Sequence, residues 1–357
     1  MKSDEIKAKN GLGVLAAISL SVCGLFTIDG GKAYSSGNLT YLELPLAILV
    51  SLAPVCLAAI AVRRAGDKGL PALLRFALGG AFGFFAALPI AAALVFCAAK
   101  PLSALVSALH GLVYEEVAYP RLLLFVLPVT AFMAWRGEKG LGRTAIVFSA
   151  LLILTAAAAV GYSASGFEAY RLEPFPDLGE AAAFTGSQTL YALAPFSALL
   201  CFGGRNAPSP KKAVTAGLFA ALFCFVMQLA LALVYPARVL EGLPLPLARM
   251  TFLNISQSYV LRLDKLLIMV WTAGCMLSGA FLISAASRLL AGSGRAQKPV
   301  SLLLSSLTGV LILAEQGGIF TRARDFFGFF SRFGSLFALA PLTVCTLAVL
   351  VKKRRSA

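Results

Sequence analysis

The chain has 357 residues, of which 59% are hydrophobic and only 13% carry a charge. Soluble globular domains have about 25% charged residues, so this composition excludes a soluble protein. The hydrophobic residues fall in blocks of roughly 17 to 25, which suits helices that cross a bilayer and is too long for the short, alternating strands of a membrane barrel. The sequence therefore predicts an all-α polytopic membrane protein with a single transmembrane domain.

The hydrophobic blocks predict ten membrane-spanning helices. In chain order they cover residues 11–36, 40–62, 72–99, 120–136, 143–163, 183–204, 212–236, 259–290, 300–319 and 333–351. The first block follows a lysine-containing N-terminus and resembles a signal peptide. No small-residue cleavage site precedes a soluble domain, so we expect this segment to be retained.

Basic residues predict the orientation of these spans. If the N-terminus is cytoplasmic and the chain crosses ten times, the inner segments contain 20 Lys and Arg but four acids, whereas the rest contains 11 basic and 12 acidic residues. Cytoplasmic loops carry such an excess of basic residues. We therefore predict that both termini are cytoplasmic. The net charge of +15 follows from this topology and suits an anionic inner leaflet, so it indicates no nucleic-acid partner.

Residues with catalytic or metal-binding chemistry are sparse. His110, predicted in the outer loop after the third span, is the only histidine, which excludes a metal site built on histidines. No nucleophile-elbow motif is present. The seven cysteines lie within predicted spans, form no CxxC pair and are typical of packing residues: Cys23, Cys56, Cys97, Cys201, Cys224, Cys275 and Cys345. The sequence predicts no catalytic residue, metal site or cofactor, and does not favour an enzyme.

Small residues and prolines lie inside several predicted spans. Gly79 and Gly83 stand four apart in the third span, a spacing that favours close approach of another helix. Interior prolines each remove a backbone hydrogen bond and kink a helix. Pro195, in the middle of the sixth span, is the most interesting of these because Ser197 follows it.

The second half of the chain contains the most recognisable pattern. LYALAPFSALLCFGGRNAPSPKK (190–212) is followed by the outer segment LPLPLARM and then by RLDKLLIMVWTAGCM (262–276). This pattern resembles the GerAB-like spore-germination permeases, the membrane-spanning B subunits of nutrient germinant receptors. Trp271 follows Asp264 by seven residues, as the corresponding positions of that family do. The resemblance extends more weakly through RRAGDKGLPALLRFALGGAFG and AFMAWRGEKGLGRTA in the first half.

The resemblance implies a fold of the amino acid–polyamine–organocation transporter superfamily. Such proteins have two inverted five-helix repeats, here expected at about 11–163 and 183–351, with the first and sixth helices interrupted in mid-membrane. A ligand would bind between the interrupted helices and spans three and eight, because unwound helix ends offer amide N–H groups to a carboxylate. The family often has acids near the start of span five and in span six. Their absence from GLGRTA and APFSALL here argues against the same ion coupling.

Two interpretations fit the end of the first span, LFTIDGGKAYSSGN (25–38). Residues 11–28 already give about 27 Å of helix, so the helix could end near Asp29. By family likeness, the helix would instead break near Gly24 and resume beyond it. Gly24 and Thr27 would then contact the ligand, with Asp29 in the outer vestibule.

Further ligand contacts are implied in spans three, six and eight: Phe96, Pro195, Phe196, Ser197, Thr272 and Met276. Each has an ordinary structural alternative. Pro195 and Ser197 would suit a simple kink with packing, and Phe96 a core or lipid-facing position. Thr272 and Met276, one turn apart below Trp271, would suit a satisfied hydroxyl and a core methionine.

Charged residues at the outer ends of spans have two interpretations as well. Arg262 and Asp264 stand where span eight begins, and their charged groups could snorkel to the interface. The family position instead suggests an ion pair of Asp264 with a neighbouring basic residue that closes an outer gate. Glu315 in span nine fits a water-exposed helix end, or alternatively a functional acid within the membrane.

These features predict a germinant-receptor membrane subunit in the cell membrane or spore inner membrane. It would bind a small amino acid or similar nutrient and signal to an A-type membrane subunit and a C-type lipoprotein, the partners that the resemblance implies. One alternative is a stand-alone proton- or sodium-coupled amino acid transporter. Another is a structural scaffold with a degenerate pocket.

Overall fold

The computed structural model describes residues 2–26, 40–65, 69–173, 178–202, 209–236, 239–240, 263–292 and 294–316, together with 247, 250, 343, 346 and 349. These residues form ten α-helices: α1 Lys2–Phe26, α2 Thr40–Arg64, α3 Leu70–Leu78, α4 Gly80–Leu112, α5 Tyr119–Arg136, α6 Glu138–Ser163, α7 Leu178–Cys201, α8 Pro210–Val234, α9 Leu263–Ala291 and α10 Gln297–Gln316. Two 3₁₀ helices, Ala164–Gly166 and Ala169–Leu172, follow α6.

The helical membrane class is confirmed. Within the described residues, six helices are long and apolar enough to cross a bilayer: α2, α4, α6, α8, α9 and α10. Helices α1 and α7 contribute shorter apolar segments, Gly11–Phe26 and Tyr191–Cys201. The tenth predicted span, 333–351, lies almost entirely outside the described residues.

The third predicted span is two helices rather than one. Gly79 ends α3 and begins α4 with φ 86° and ψ 176°, a conformation that is essentially restricted to glycine. A Cβ on Gly83 would lie 2.9 Å from the carbonyl oxygen of Leu74, so Gly83 lets α4 pack directly on α3. The predicted close approach at these glycines therefore occurs within a single span. Helix α4 also runs past the predicted end at residue 99, which places His110 in its last turn instead of in a loop.

Helices α1 and α7 are intact at Gly24 and Pro195, the residues near which breaks were considered. Helix α1 continues through Gly24 to Phe26, and α7 continues through Pro195 to Cys201. A glycine costs a helix only about 1 kcal/mol, and a proline within a membrane span can be accommodated by its neighbours. A Cβ on Gly24 would lie 3.0 Å from the side chain of Leu44, so close packing on α2 favours the intact helix. Residues 27–39 and 203–208, which follow these helices, lie outside the described residues.

Helix packing follows a two-repeat pattern. We count α3 and α4 together as the third span, so that α5 and α6 are spans four and five and α7 to α10 are spans six to nine. In an inverted-repeat fold, each span of the first repeat corresponds to the span five positions later in the second. With this correspondence, the contact between α1 and α8 (spans one and seven) matches the contact between α2 and α7 (spans two and six). The contact between α4 and α10 (spans three and nine) matches the contact between α5 and α9 (spans four and eight). The α4–α9 and α5–α10 contacts correspond to themselves. Both members of each pair are present, as two inverted five-helix repeats require.

Candidate solute-binding site

A buried polar cluster lies where α1, α4 and α9 meet. The Oγ atoms of Ser19 and Ser278 are 2.8 Å apart and form a hydrogen bond between α1 and α9. The thiol of Cys23 lies 3.4 Å from the Ser278 hydroxyl and 3.9 Å from the carbonyl oxygen of Cys97 in α4. All four residues are fully buried. Polar side chains pair in this way inside membrane proteins because lipid offers them no partner.

Sequence reasoning missed this cluster. It treated Cys23 and Cys97 as ordinary packing residues and did not weigh Ser19 or Ser278. The available signal was a pair of hydrogen-bonding side chains four residues apart, Ser19 and Cys23, in the apolar segment Gly11–Phe26, whose other polar side chain is Ser21. Residues at this spacing share one helix face, which marks the side of α1 that faces a neighbour.

Aromatic rings lie above this cluster, at the Phe26 end of α1. The ring centroid of Trp271 in α9 is 5.4 Å from that of Phe26 and 6.4 Å from that of Phe223 in α8. Trp271 is buried. Because Trp271 precedes Ser278 by seven residues, about 10 Å of helix separates this aromatic cap from the polar cluster. The cap therefore closes one end of the region between α1, α8 and α9.

Along α9, Thr272 and Met276 lie between Trp271 and Ser278, on a neighbouring face of the helix. The Oγ1 atom of Thr272 is buried and has no hydrogen-bond partner among the described residues. By contrast, the hydroxyls of Thr130 and Thr155 donate to carbonyls of their own helices at 2.9 Å. Met276 is half-buried and packs against the core. An unpartnered buried hydroxyl is costly, and a bound solute would supply the missing acceptor or donor.

Other predicted ligand contacts face neighbouring helices. Gly24 contacts Leu44, and a Cβ on Gly217 of α8 would lie 3.0 Å from the Phe196 ring. Phe196 and Ser197 are buried, as is Pro195 beside them. These contacts belong to helix packing, and a role in ligand binding stays a prediction.

The remaining predicted site residues divide by helix. Phe96 is buried in α4 next to Cys97, and the Lys100 ammonium lies 6.0 Å from the centroid of its ring. Thr27 and Arg262 lie outside the described residues, as does the side chain of Asp264. The predicted outer gate thus stays a prediction.

The opposite end of α9 is closed by an ion pair and stacked rings. Arg288 donates to a carboxylate oxygen of Glu138, at the start of α6, over 2.6 Å. Its guanidinium also lies 5.2 Å from the centroid of Phe202, which stacks on Phe281 at 5.7 Å. This contact joins the ends of α6, α7 and α9. Polar and aromatic contacts therefore hold α9 to its neighbours on both sides of the polar cluster.

The described residues contain no group of three or more His, Cys, Asp or Glu side chains arranged to hold a metal ion. The polar cluster offers hydroxyls, thiols and one carbonyl oxygen instead. Such groups can hydrogen-bond a small polar solute, and none of them carries a formal charge.

The sequence matches no protein-family model and no curated protein. Solved structures are similar in fold. MhsT in complex with L-phenylalanine has a TM-score of 0.67 at 17% identity, over 94% of this chain and 87% of that chain. A Na⁺-coupled sialic acid symporter, substrate-bound and outward-open, has a TM-score of 0.63 at 13% identity, over 94% and 78%. A mutant of the Eremococcus coleocola manganese transporter has 0.52 at 14%, over 96% and 78%.

The chain has the fold of these transporters. Its long apolar helices make it an integral membrane protein, and two of these neighbours are a symporter and a manganese transporter. The predicted 5+5 inverted-repeat class is confirmed by this likeness, which extends over nearly the whole chain.

Proposed function

We propose that this protein binds a small amino acid or similar nutrient between α1, α4 and α9, and that it is the membrane subunit of a nutrient germinant receptor. The observation that carries the binding proposal is the buried, unpartnered hydroxyl of Thr272, which lies along α9 between Trp271 of the cap and Ser278 of the Ser19–Ser278 pair. The receptor role is supported by the resemblance of residues 190–290 to the GerAB-like permeases. By that resemblance, an A-type membrane subunit and a C-type lipoprotein are the proposed partners.

The proposed mechanism is a change of helix packing on ligand binding. A solute that bonds Thr272 replaces an unsatisfied contact, and its apolar part packs against Met276 and the aromatic cap. Because α9 also contacts α6 through Arg288 and Glu138, a shift of α9 at the site would reach the opposite end of the bundle. A ligand shifts the equilibrium between the two helix packings only if it binds one packing more tightly than the other.

A second candidate is a stand-alone transporter. Two of the structural neighbours are a Na⁺-coupled symporter and a manganese transporter, which supports this alternative. Purified protein in sealed vesicles distinguishes the two candidates. Accumulation of a labelled amino acid by this chain alone, driven by a proton or sodium gradient, would favour the transporter. Binding without accumulation would favour the receptor subunit.

The binding proposal is tested with an amino acid screen for thermal stabilisation of the purified protein. A ligand at 100 times its dissociation constant adds about 2.7 kcal/mol of stability, which a melting curve resolves. Thr272→Val removes the unpartnered hydroxyl and keeps the side-chain shape, so we expect equal or higher stability without ligand and at least about tenfold weaker binding. Gly24→Trp is unsuitable, because its side chain would collide with Leu44.

Thr130→Val is the matched control. It removes a threonine hydroxyl from the buried face of α5, where that hydroxyl already donates to Val126. We expect ligand binding by this variant to match the wild type. Equal affinities in Thr272→Val and the wild type would refute the proposed site, and the absence of any stabilising amino acid would refute the ligand class.

A further inference from the structure

A second cleft lies away from the candidate site, between the end of α2, the start of α3 and the end of α9. It has a volume of about 390 Å³, within the range of small-ligand pockets. The residues that line it include Ala65, Pro71, Arg75, Phe76, Arg288 and Gly292. Because α2 and α9 are membrane spans and the cleft lies at their C-terminal ends, it opens at the membrane surface.

The described residues at this cleft carry a net positive charge. Arg75 and Arg288 line it, and Arg63 and Arg64 are exposed at the adjoining end of α2. Glu138 pairs with Arg288 and neutralises one of these charges. Arg75 is exposed and forms no ion pair with any residue that the structure describes. The balance favours an anion, and a guanidinium presents two parallel donors that match phosphate oxygens.

The surroundings of Arg75 are apolar and face outward. The Phe76 side chain is 51% exposed beside it. A Cβ on Gly83 would lie 3.0 Å from the Arg75 Cα atom, so the start of α4 is adjacent. On either side of Gly83, Phe82 and Phe84 are 75% and 43% exposed. A basic cleft next to an exposed aromatic surface matches a molecule with an anionic head and a hydrocarbon tail.

We propose that this cleft binds the phosphate headgroup of an anionic phospholipid, with Arg75 as the main phosphate ligand and the exposed phenylalanines of α3 and α4 against its acyl chains. Basic pockets between membrane helices bind anionic headgroups by the same chemistry. The side chain of Arg288, which also lines the cleft, holds α9 against α6 through Glu138. A bound headgroup would therefore lie beside the ion pair that closes this end of the bundle.

Native mass spectrometry of the purified full chain tests the proposal by titration with short-chain phosphatidylglycerol and, separately, phosphatidylcholine. We expect phosphatidylglycerol to bind more tightly. One basic residue near the membrane surface contributes about a fivefold factor in affinity, so Arg75→Gln should weaken phosphatidylglycerol binding by about fivefold and leave phosphatidylcholine unchanged. Arg75→Lys keeps the charge and should recover part of the loss.

Arg136→Gln is the matched control, because Arg136 is also an exposed arginine in the last turn of a helix and lies outside the cleft. We expect this variant to bind phosphatidylglycerol as the wild type does. If Arg75→Gln and Arg136→Gln weaken phosphatidylglycerol binding equally, the effect comes from general surface charge, and the proposed site is overturned. No preference for phosphatidylglycerol over phosphatidylcholine would overturn the ligand class. Displacement of the lipid by an equal concentration of inorganic phosphate would overturn the lipid assignment in favour of a soluble phosphate ligand.

Discussion

At the scale of single residues, hydroxyls show which helix faces meet. Many serines and threonines in the described helices donate to a carbonyl three or four residues earlier, as Ser51 and Ser305 do, and so need no neighbour. Ser19 and Ser278 differ, because they bond to each other across two helices. Such pairs fix the rotation of one helix against another, which hydrophobic packing in lipid does not do by itself.

We predict that Ser19 and Ser278 stabilise the protein as a unit. Each alanine variant should lower the free energy of unfolding by about 0.6–1.7 kcal/mol, the range for hydrogen bonds between membrane helices. The double variant should lose much less than the sum of the two single losses, since the bond can be lost only once. Denaturant unfolding in mixed micelles measures all three values.

Ser306→Ala serves as the control for this cycle. The Ser306 hydroxyl is exposed and donates to Leu302 of its own helix at 3.1 Å. Combined with Ser278→Ala, it should give additive losses. Additive losses in the Ser19 and Ser278 double variant would contradict the predicted coupling.

At the scale of helices, one glycine divides the third span. Gly79 takes a backbone conformation with positive φ and is followed at once by Gly80, an ordinary helical residue. Gly69 and Gly137 take nearly the same conformation immediately before α3 and α6. Three helices thus begin immediately after a glycine with positive φ. In α3 and α4, this allows Gly83 to pack on the backbone of the preceding helix.

We predict that Gly79→Ala destabilises the protein by about 1–3 kcal/mol, the cost of this conformation for a residue with a Cβ. Nothing lies within 4 Å of a Cβ built at Gly79, so the loss would come from the backbone and not from a clash. Thermal unfolding in detergent measures the change.

The neighbouring glycine gives a matched control. A Cβ at Gly80 also meets nothing within 4 Å, but this residue is helical. Gly80→Ala should therefore be neutral or stabilising by up to about 1 kcal/mol, because alanine favours the helix. Equal effects of the two substitutions would show that positive φ does not determine the break.

At the scale of the whole molecule, ion pairs tie the outer helices to the core. The Lys100 ammonium of α4 pairs with the Glu315 carboxylate of α10, and about a quarter of the Lys100 side chain is exposed. Glu315 does lie at the end of its helix, as predicted, but it meets a lysine and not water alone. The second oxygen of its carboxylate is buried without a hydrogen-bond partner among the described residues. This pair joins the third and ninth spans, one from each repeat.

We predict that Lys100→Met destabilises the protein by about 1–3 kcal/mol, less than the 3–5 kcal/mol for breaking a fully buried pair because both side chains are partly exposed. Adding Glu315→Gln should recover part of this loss, since the carboxylate is then no longer left without its cation. Melting temperatures of the single and double variants in detergent provide the comparison.

Lys211→Met is the control, because Lys211 is exposed in the first turn of α8. It should change stability by less than about 0.5 kcal/mol. If Glu315→Gln adds its own loss to that of Lys100→Met, the pair does not act as a unit. The division of the chain into repeats at residues 163 and 183 stays a prediction that these variants do not address.

Composition and hydropathy alone determined the class of this protein, because a bilayer admits only helices or closed barrels and the hydrophobic blocks have helical length. They also placed nine of the ten spans to within a few residues at most ends. The position of the helix break depended on tertiary structure. Gly24 and Gly79 are both glycines in apolar runs, yet Leu44 packs over the first, whereas the second has open space around it and a positive φ.

The candidate site shows the same division. The sequence singled out Thr272 and Met276, but it could not show that the Thr272 hydroxyl lacks a partner, nor that Ser19 meets Ser278 from 259 residues away. Spacing within a helix fixes which residues share a face. Which face packs on which helix depends on contacts between segments that are distant in the chain. The residue pattern within a single span does not reveal these contacts.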